Sequence, residues 1–311
     1  MRPRMRDFFF IFILTLLTTV YSAAEASVTV IPLGPKDKKA DDFPYVGSVV
    51  NLVNNAAGSG SVIGDGTFVL TARHVITHNG SERGMLLDAS NFAFNLNGKT
   101  YFVDRVYGHS TDDLAILKLK ENAGKAVPIY NKNPIGQTFY GVGFGKSSSC
   151  PSYDDIKWDV AYGTKRVYKN TFTWLQEEVS LNNGCFSVVD SFGFSLHRPE
   201  TLFSPNGAIE GEGMHGPGDS GGPTLILDGD TYKIAGIMIS MTVTPPYSGY
   251  IARVDTNLWW IKSVIEPDKG KTTVEILSGL SWSNKDSEFD LYFFPIAGLP
   301  VERKKFQIVP D

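Results

Sequence analysis

The chain is written in short runs of Val, Ile, Phe and Tyr, each closed by turn residues, and few architectures accept that texture. Val46 to Val53, Phe68 to Ala72, Phe92 to Asn95, Tyr101 to Tyr107 and Leu114 to Leu119 are such runs. β-Branched and aromatic side chains suit a pleated, half-buried surface, and runs this short do not build the alternating helices of an α/β chain. Asn97-Gly98 is a strong signal for a two-residue hairpin turn, and Asp228-Gly229-Asp230 marks another. The stretch Glu121 to Gln137, carrying Gly124, Pro128, Asn131, Asn133, Pro134 and Gly136, reads as a linker between two β units. The second unit then runs from about Thr138 to Asp255. Asn257 to Ile265 has helical spacing of its apolar residues, with Asp255 or Thr256 available as cap. No internal repeat or low-complexity tract interrupts this order. The fold class is all-β with a short C-terminal helix.

Three segments carry chemistry. Thr71-Ala72-Arg73-His74 comes first, then Asp113-Leu114-Ala115-Ile116-Leu117-Lys118-Leu119, then Gly216-Pro217-Gly218-Asp219-Ser220-Gly221-Gly222-Pro223. A serine hydroxyl is a weak nucleophile at neutral pH, so a histidine must take its proton, and a carboxylate must orient that histidine. Glycines around Ser220 free the backbone to aim N–H groups at the oxyanion of a tetrahedral intermediate. Gly218-Asp219-Ser220-Gly221-Gly222 also fits the G-x-S-x-G elbow of α/β-hydrolases. Those enzymes place the histidine after the serine, whereas all five histidines here precede Ser220.

At these residues the chain resembles the trypsin/chymotrypsin family of secreted serine peptidases. Phe43-Pro44-Tyr45-Val46 is similar to the first strand of that family, and Gly58 to Ile63 to the strand pair before the histidine. Phe139 to Gly145 is similar to the Gly-x-Gly strand of the second barrel. Ile234-Ala235-Gly236-Ile237 and Ser248-Gly249-Tyr250-Ile251 resemble the last strands, and Trp260 to Ile265 the closing helix. The resemblance covers about residues 41 to 266. It implies two packed antiparallel six-stranded β-barrels, the first about 41–125 and the second with its helix about 136–266. It makes His74 the general base, Asp113 its orienting carboxylate and Ser220 the nucleophile, with Gly218 and Ser220 N–H groups as the oxyanion hole. The reaction implied is peptide-bond hydrolysis through an acyl-enzyme. Two other readings stay open: a protease-fold binding protein of little or no activity, and a serine esterase.

The chain departs from the vertebrate members, which carry cysteines where Val75 and Gly216 stand, and so looks like a disulfide-poor relative. By the same resemblance Met214 forms the base of the primary specificity pocket, with His215 beside it and Gly249 on the far wall. The Ile237 to Thr242 edge, through Ser240 and Met241, would pair with substrate backbone. Met214 offers an adaptable apolar surface and no charge, so cleavage after uncharged, mostly apolar residues is expected; the alternative is that His215 turns inward and favours Glu. Asp219 would pair with a freed amino terminus or with an internal Arg, since no Arg-Ile-Val-Gly-Gly junction is present. Asp112 is expected to be solvated, and His109 and His197 to be ordinary loop or surface residues.

Arg2, Arg4 and Arg6, the apolar run Phe8 to Tyr21 and Ala24-Glu25-Ala26 read as a signal peptide over residues 1–26, which predicts a secreted protein, extracellular or periplasmic. The run is shorter than the roughly 20 residues that span a bilayer, so no stable membrane insertion is expected after cleavage. Losing residues 1–26 removes three Arg, one Asp and one Glu and moves the net charge from −4 to −5. That mildly acidic balance, without a basic block, argues against nucleic acid as a partner. Protein or peptide substrates and proteinaceous inhibitors are the partners expected. Cys150 and Cys185 are the two cysteines, and in an oxidising compartment they are expected to pair, a loop closure worth roughly 3–4 kcal/mol; two free buried thiols are the alternative. No Cys-x-x-Cys or paired-histidine spacing accompanies the cysteines; His78, four residues after His74, lacks the acidic partner of an H-E-x-x-H arrangement and reads as a surface histidine, so no metal is expected, and no motif asks for a cofactor. Residues 27–40 read as a leader or pro-segment and 267–311 as an extension, with runs at Thr272 to Leu277, Phe289 to Phe294 and Phe306 to Val309 that fit strands.

Overall fold

In the computed structural model, which describes residues 28–29, 33–147, 162–182, 185–195, 209–241, 248–266, 289–293 and 302–306, a short strand β1 (Val28–Thr29) precedes six strands that close on one another. These are β2 (Val46–Asn51), β3 (Ala57–Ile63), β4 (Phe68–Thr71), β5 (Phe92–Leu96), β6 (Lys99–Gly108) and β7 (Ala115–Leu119). They form an antiparallel barrel in the order β2-β3-β4-β7-β6-β5, sealed by the β5–β2 pairing. Closure leaves no open edge. The Asn97-Gly98 turn behaves as its sequence suggests: both residues take positive φ, 50° and 80°, and Leu96 pairs with Lys99. Val46, Val49, Val62, Leu70, Phe94 and Ile116 are fully buried, and burial of each such side chain contributes roughly 1.5–3 kcal/mol.

The second half holds β8 (Thr138–Gly143), β9 (Arg166–Thr171), β10 (Trp174–Asn182), β11 (Cys185–Ser195), β12 (Gly213–Met214), β13 (Pro223–Asp228), β14 (Thr231–Met241) and β15 (Ser248–Arg253). Where six strands are expected the sheet has seven, in the order β10-β11-β15-β14-β13-β8-β9. At one edge β10 pairs with β11 along its whole length, from Trp174 opposite Gly193 to Asn182 opposite Cys185. The edge strands β9 and β10 are joined by Phe172 and Thr173 alone. So short a link reaches at most about 11 Å, so the sheet must curl until those two ends meet. The small strand β12 stays outside this sheet and pairs with β1.

The segment between the two units forms no named strand and packs on both. Val127 N–H donates to the Val62 carbonyl in the barrel, and Tyr130 N–H to the Ile234 carbonyl in β14. The chain then ends its first compact unit, Met1–Glu266, with helix α1 (Leu258–Ile265). Asn257, and neither Asp255 nor Thr256, sits at its N-cap, and the Asn257 side chain bonds elsewhere. In the second unit, Pro267–Asp311, β16 (Phe289–Phe293) pairs with β17 (Glu302–Phe306). β16 matches an expected run; β17 falls earlier than the expected Phe306 to Val309. The signal sequence, Cys150 with its expected bridge to Cys185, His197 and Thr272 to Leu277 lie outside the described residues.

Candidate active site

His74 sits on a 3-10 turn, Arg73–Ile76, that follows directly on β4. Asp113 lies in the loop just before β7, and because β4 and β7 are paired, the two residues arrive side by side. The Asp113 carboxylate is buried and takes both polar hydrogens that His74 presents. Oδ1 accepts the His74 main-chain N–H at 2.8 Å, and Oδ2 meets ring Nδ1 at 2.6 Å. A carboxylate at that distance assigns the proton to Nδ1 and leaves Nε2 unprotonated in the neutral ring. Burial alone would depress the imidazole's pKa; the hydrogen bond and charge of Asp113, with a smaller contribution from Glu82, outweigh it and hold the ring above its ordinary value.

Ser220 comes from the other half, and its loop is bolted to the first barrel through main-chain contacts. Ser59 in β3 donates its N–H to the Ser220 carbonyl at 2.7 Å. The Ser59 hydroxyl donates to the Gly218 carbonyl at 3.1 Å and accepts the Phe144 N–H at 3.0 Å. Gly221, with φ +86°, lies so close that a Cβ there would fall 2.1 Å from Thr71 Oγ1 and 2.2 Å from the Ser59 carbonyl. Thr71 closes β4 three residues ahead of His74, so this contact sets the Ser220 loop beside the His74 turn. Among the described residues, neither the Gly218 nor the Ser220 N–H donates to a protein acceptor.

Asp219 organises the same loop from within. Its carboxylate accepts the N–H groups of Gly145 at 2.7 Å and Gly216 at 2.8 Å. Gly143 and Gly145 are small because Asp219 leaves no room: a Cβ would meet Oδ1 at 2.2 Å and 2.7 Å. Arg166, itself buried, donates to the Gly145 carbonyl at 2.7 Å and feels the Asp219 charge. Of the two partners the sequence leaves open for Asp219, the internal arginine is therefore present in its surroundings.

The residues expected to line the specificity pocket lie on neighbouring pieces of chain. Met214 is fully buried, and His215 nearly so. His215 Nε2 donates to the Ser240 carbonyl at 2.7 Å, and Nδ1 faces the Tyr168 hydroxyl at 3.3 Å. Burial pushes the ring's pKa down to about 4, against the small opposing effect of the Ser240 bond. Met241 pairs with Gly249 across β14 and β15, and a bulge between Met238 and Ser240 shifts that register by a residue. Beyond Gly222, β14 has a strand neighbour on its β15 side alone among the described residues.

Two expectations are corrected. Asp112 is buried, and His109 lies edge-on to Trp260 with ring centroids 5.0 Å apart. His109 Nδ1 accepts the Asp112 N–H at 3.0 Å, and Asn257 Nδ2 donates to Asp112 Oδ2. The pair ties the loop of Asp113 to the start of α1, a contact across 145 positions that no local pattern announces. Ser59, Arg166 and Asn257 were likewise invisible as site residues, although the small-residue run Gly58-Ser59-Gly60-Ser61 hinted at a close approach.

The sequence model of the trypsin-like peptidase domain matches residues 58–232, a span that contains His74, Asp113 and Ser220. Among solved structures the chain is similar to the active form of the Rv3671c protease from M. tuberculosis. The identity is 15%, the TM-score 0.49, and the match covers 78% of this chain and 92% of that one. The inactive form of the Rv3671c protease matches at 16% identity and TM-score 0.48, covering 73% and 91%. No curated protein matches the chain.

Proposed function

Because the chain belongs to the trypsin-like peptidase family, we propose that it is an exported serine endopeptidase working through an acyl-enzyme. The observation that carries this reading is the two-point grip of Asp113 on His74 beside a glycine-rich serine loop. Ser220 Oγ attacks the scissile carbonyl while His74 Nε2 takes its proton. The imidazolium so formed is stabilised by Asp113, and the oxyanion by the Gly218 and Ser220 N–H groups. His74 then hands the proton to the leaving amine, the C–N bond breaks, and an ester to Ser220 remains. Water activated by His74 hydrolyses that ester and restores the serine.

Cleavage after uncharged, mostly apolar residues is part of the proposal. Met214 brings no charge, and a buried lysine or arginine without a counter-ion costs several kcal/mol, on the order of 3–5. A glutamate would need a cation, and His215 is kept neutral by burial and is already bonded to Ser240.

A fluorophosphonate probe should label the secreted protein at Ser220, and casein should be digested. A Ser220→Ala chain should do neither. Labelling that survives this substitution, or a parent chain that is inert to both reagents, sinks the reading. Labelling with ester turnover and no casein digestion would instead make the protein an esterase.

A further inference from the structure

The leader ahead of the first barrel is built into the second half of the molecule, at the strand from which the nucleophile's loop departs. β1 pairs antiparallel with β12, Val28 opposite Met214 and Thr29 opposite Gly213. On its other side β12 is tied to β9. Lys169 forms a parallel bridge with Glu212 and donates its N–H to the Gly211 carbonyl at 2.8 Å, and Asn170 Nδ2 donates to the Gly213 carbonyl at 2.9 Å. A two-residue strand has little stability of its own, so β12 depends on both neighbours.

Three further contacts continue along the leader. Leu33 packs on Gly211, where a Cβ would fall 2.5 Å from Leu33 Cδ2. Gly34 lies so near Glu210 that a Cβ would strike its carboxylate at 2.2 Å. Asp37 then accepts the Lys169 ammonium at 2.8 Å, the Tyr140 hydroxyl at 3.0 Å and the Gly34 N–H at 2.8 Å. Burial pulls the Asp37 carboxyl up, yet these donors together hold it below its ordinary value. One lysine thus grips β12 with its main chain and the leader with its side chain.

Downstream of Met214 come His215, bonded to Ser240, Gly216, bonded to Asp219, and then Gly218 and Ser220. We propose that residues 28–29 and 33–37 are a positioning strap: by pairing with β12 and locking Asp37 to Lys169, they hold the 214–220 loop in its working shape. The mature enzyme then keeps its leader and needs no cleavage ahead of Phe43. The inference rests on the peptidase reading for its effect on turnover, but its effect on the loop can be read without activity.

The test compares the chain beginning at residue 27 with one beginning at residue 38 and with Asp37→Ala. With a peptide substrate, loss of the strap should lower kcat tenfold or more and change KM less, because the oxyanion donors act on the transition state. Asp37→Ala should lower kcat by about threefold or more, and a synthetic peptide of residues 27–38 should restore kcat to the shortened chain. Amide exchange over residues 211–220 is measured on the same three proteins carrying Ser220→Ala, and it should quicken when the strap is lost. If the parent chain has no peptidase activity but exchange still depends on the strap, the peptidase reading falls and the strap stands. A shortened chain as active as its parent, or more so, overturns the strap. Unchanged exchange in Asp37→Ala does the same, which covers the case of a shortened chain that fails to fold. An active secreted enzyme whose first residue lies beyond Asp37 would also refute it.

Discussion

At the scale of single residues, the site is a set of groups whose roles follow from what each one touches. His74, Asp113 and Ser220 are proposed to act as one unit. Ser220→Ala and His74→Ala should therefore each lower kcat by factors on the order of 10⁶, and Asp113→Asn by about 10⁴ through the wrong tautomer. The raised pKa of His74 places the acid limb of kcat/KM above pH 6.5, and Asp113→Asn should move that limb down; stopped assays across pH read both. His215 gives a stability prediction of defined sign. The unfolded chain takes up its proton near 6.5 and the folded one only near 4. Between those values the unfolded state binds more protons, so stability falls as pH drops from 6.5 to 4, by on the order of 3 kcal/mol. His215→Gln, which keeps a donor near Ser240, should flatten that acid limb in urea titrations. A limb as steep as the parent's would mean that another group titrates there.

At the scale of elements, short-range fits between β3, β4 and the serine loop are among the contacts that join the two halves. Ser59→Ala removes a hydroxyl that serves both the Gly218 carbonyl and the Phe144 N–H. Each polar group left buried and unmade costs about 1–3 kcal/mol, so thermal denaturation should show a clear loss of stability. Gly221→Ala should leave circular dichroism unchanged and reduce kcat at least tenfold, because the added methyl meets Thr71 and the Ser59 carbonyl. Normal kcat in that variant would show that the loop is not seated by this contact. The β-texture and the Asn97-Gly98 turn were readable because they depend on neighbours in sequence. The brace from His109 through Asp112 to Asn257 was not, since Asp112 and Asn257 lie 145 positions apart; Asp112 beside Asp113 looks like any solvated carboxylate until Asn257 is seen to bond it.

At the scale of the whole molecule, Met1–Glu266 and Pro267–Asp311 separate as compact units. A chain ending at Glu266 should fold and keep its kcat/KM within about twofold. A larger drop, measured on the purified shortened chain, would give the second unit a part in catalysis. Intact-mass measurement of the secreted protein should find its first residue at Ser27 and no alkylatable thiol on Cys150 or Cys185. An uncleaved start, or two thiols open to alkylation, would count against export or the bridge respectively.

The sequence by itself determined the β class, the division into two β units, the order His74, Asp113, Ser220 and the glycines around Ser220. Each of these is a matter of local pattern or of residue types at short spacing, and a chain need not be folded for them to be legible. Only the tertiary structure decided how those pieces meet. It opened the second sheet to seven strands, buried His109 and Asp112, set Arg166 near Asp219, committed His215 to Ser240, and laid the leader along β12. The physical reason is common to all five. A strand's partner, a buried ion's counter-charge and a histidine's acceptor are chosen by which distant segments come together on folding, and packing across the chain makes that choice.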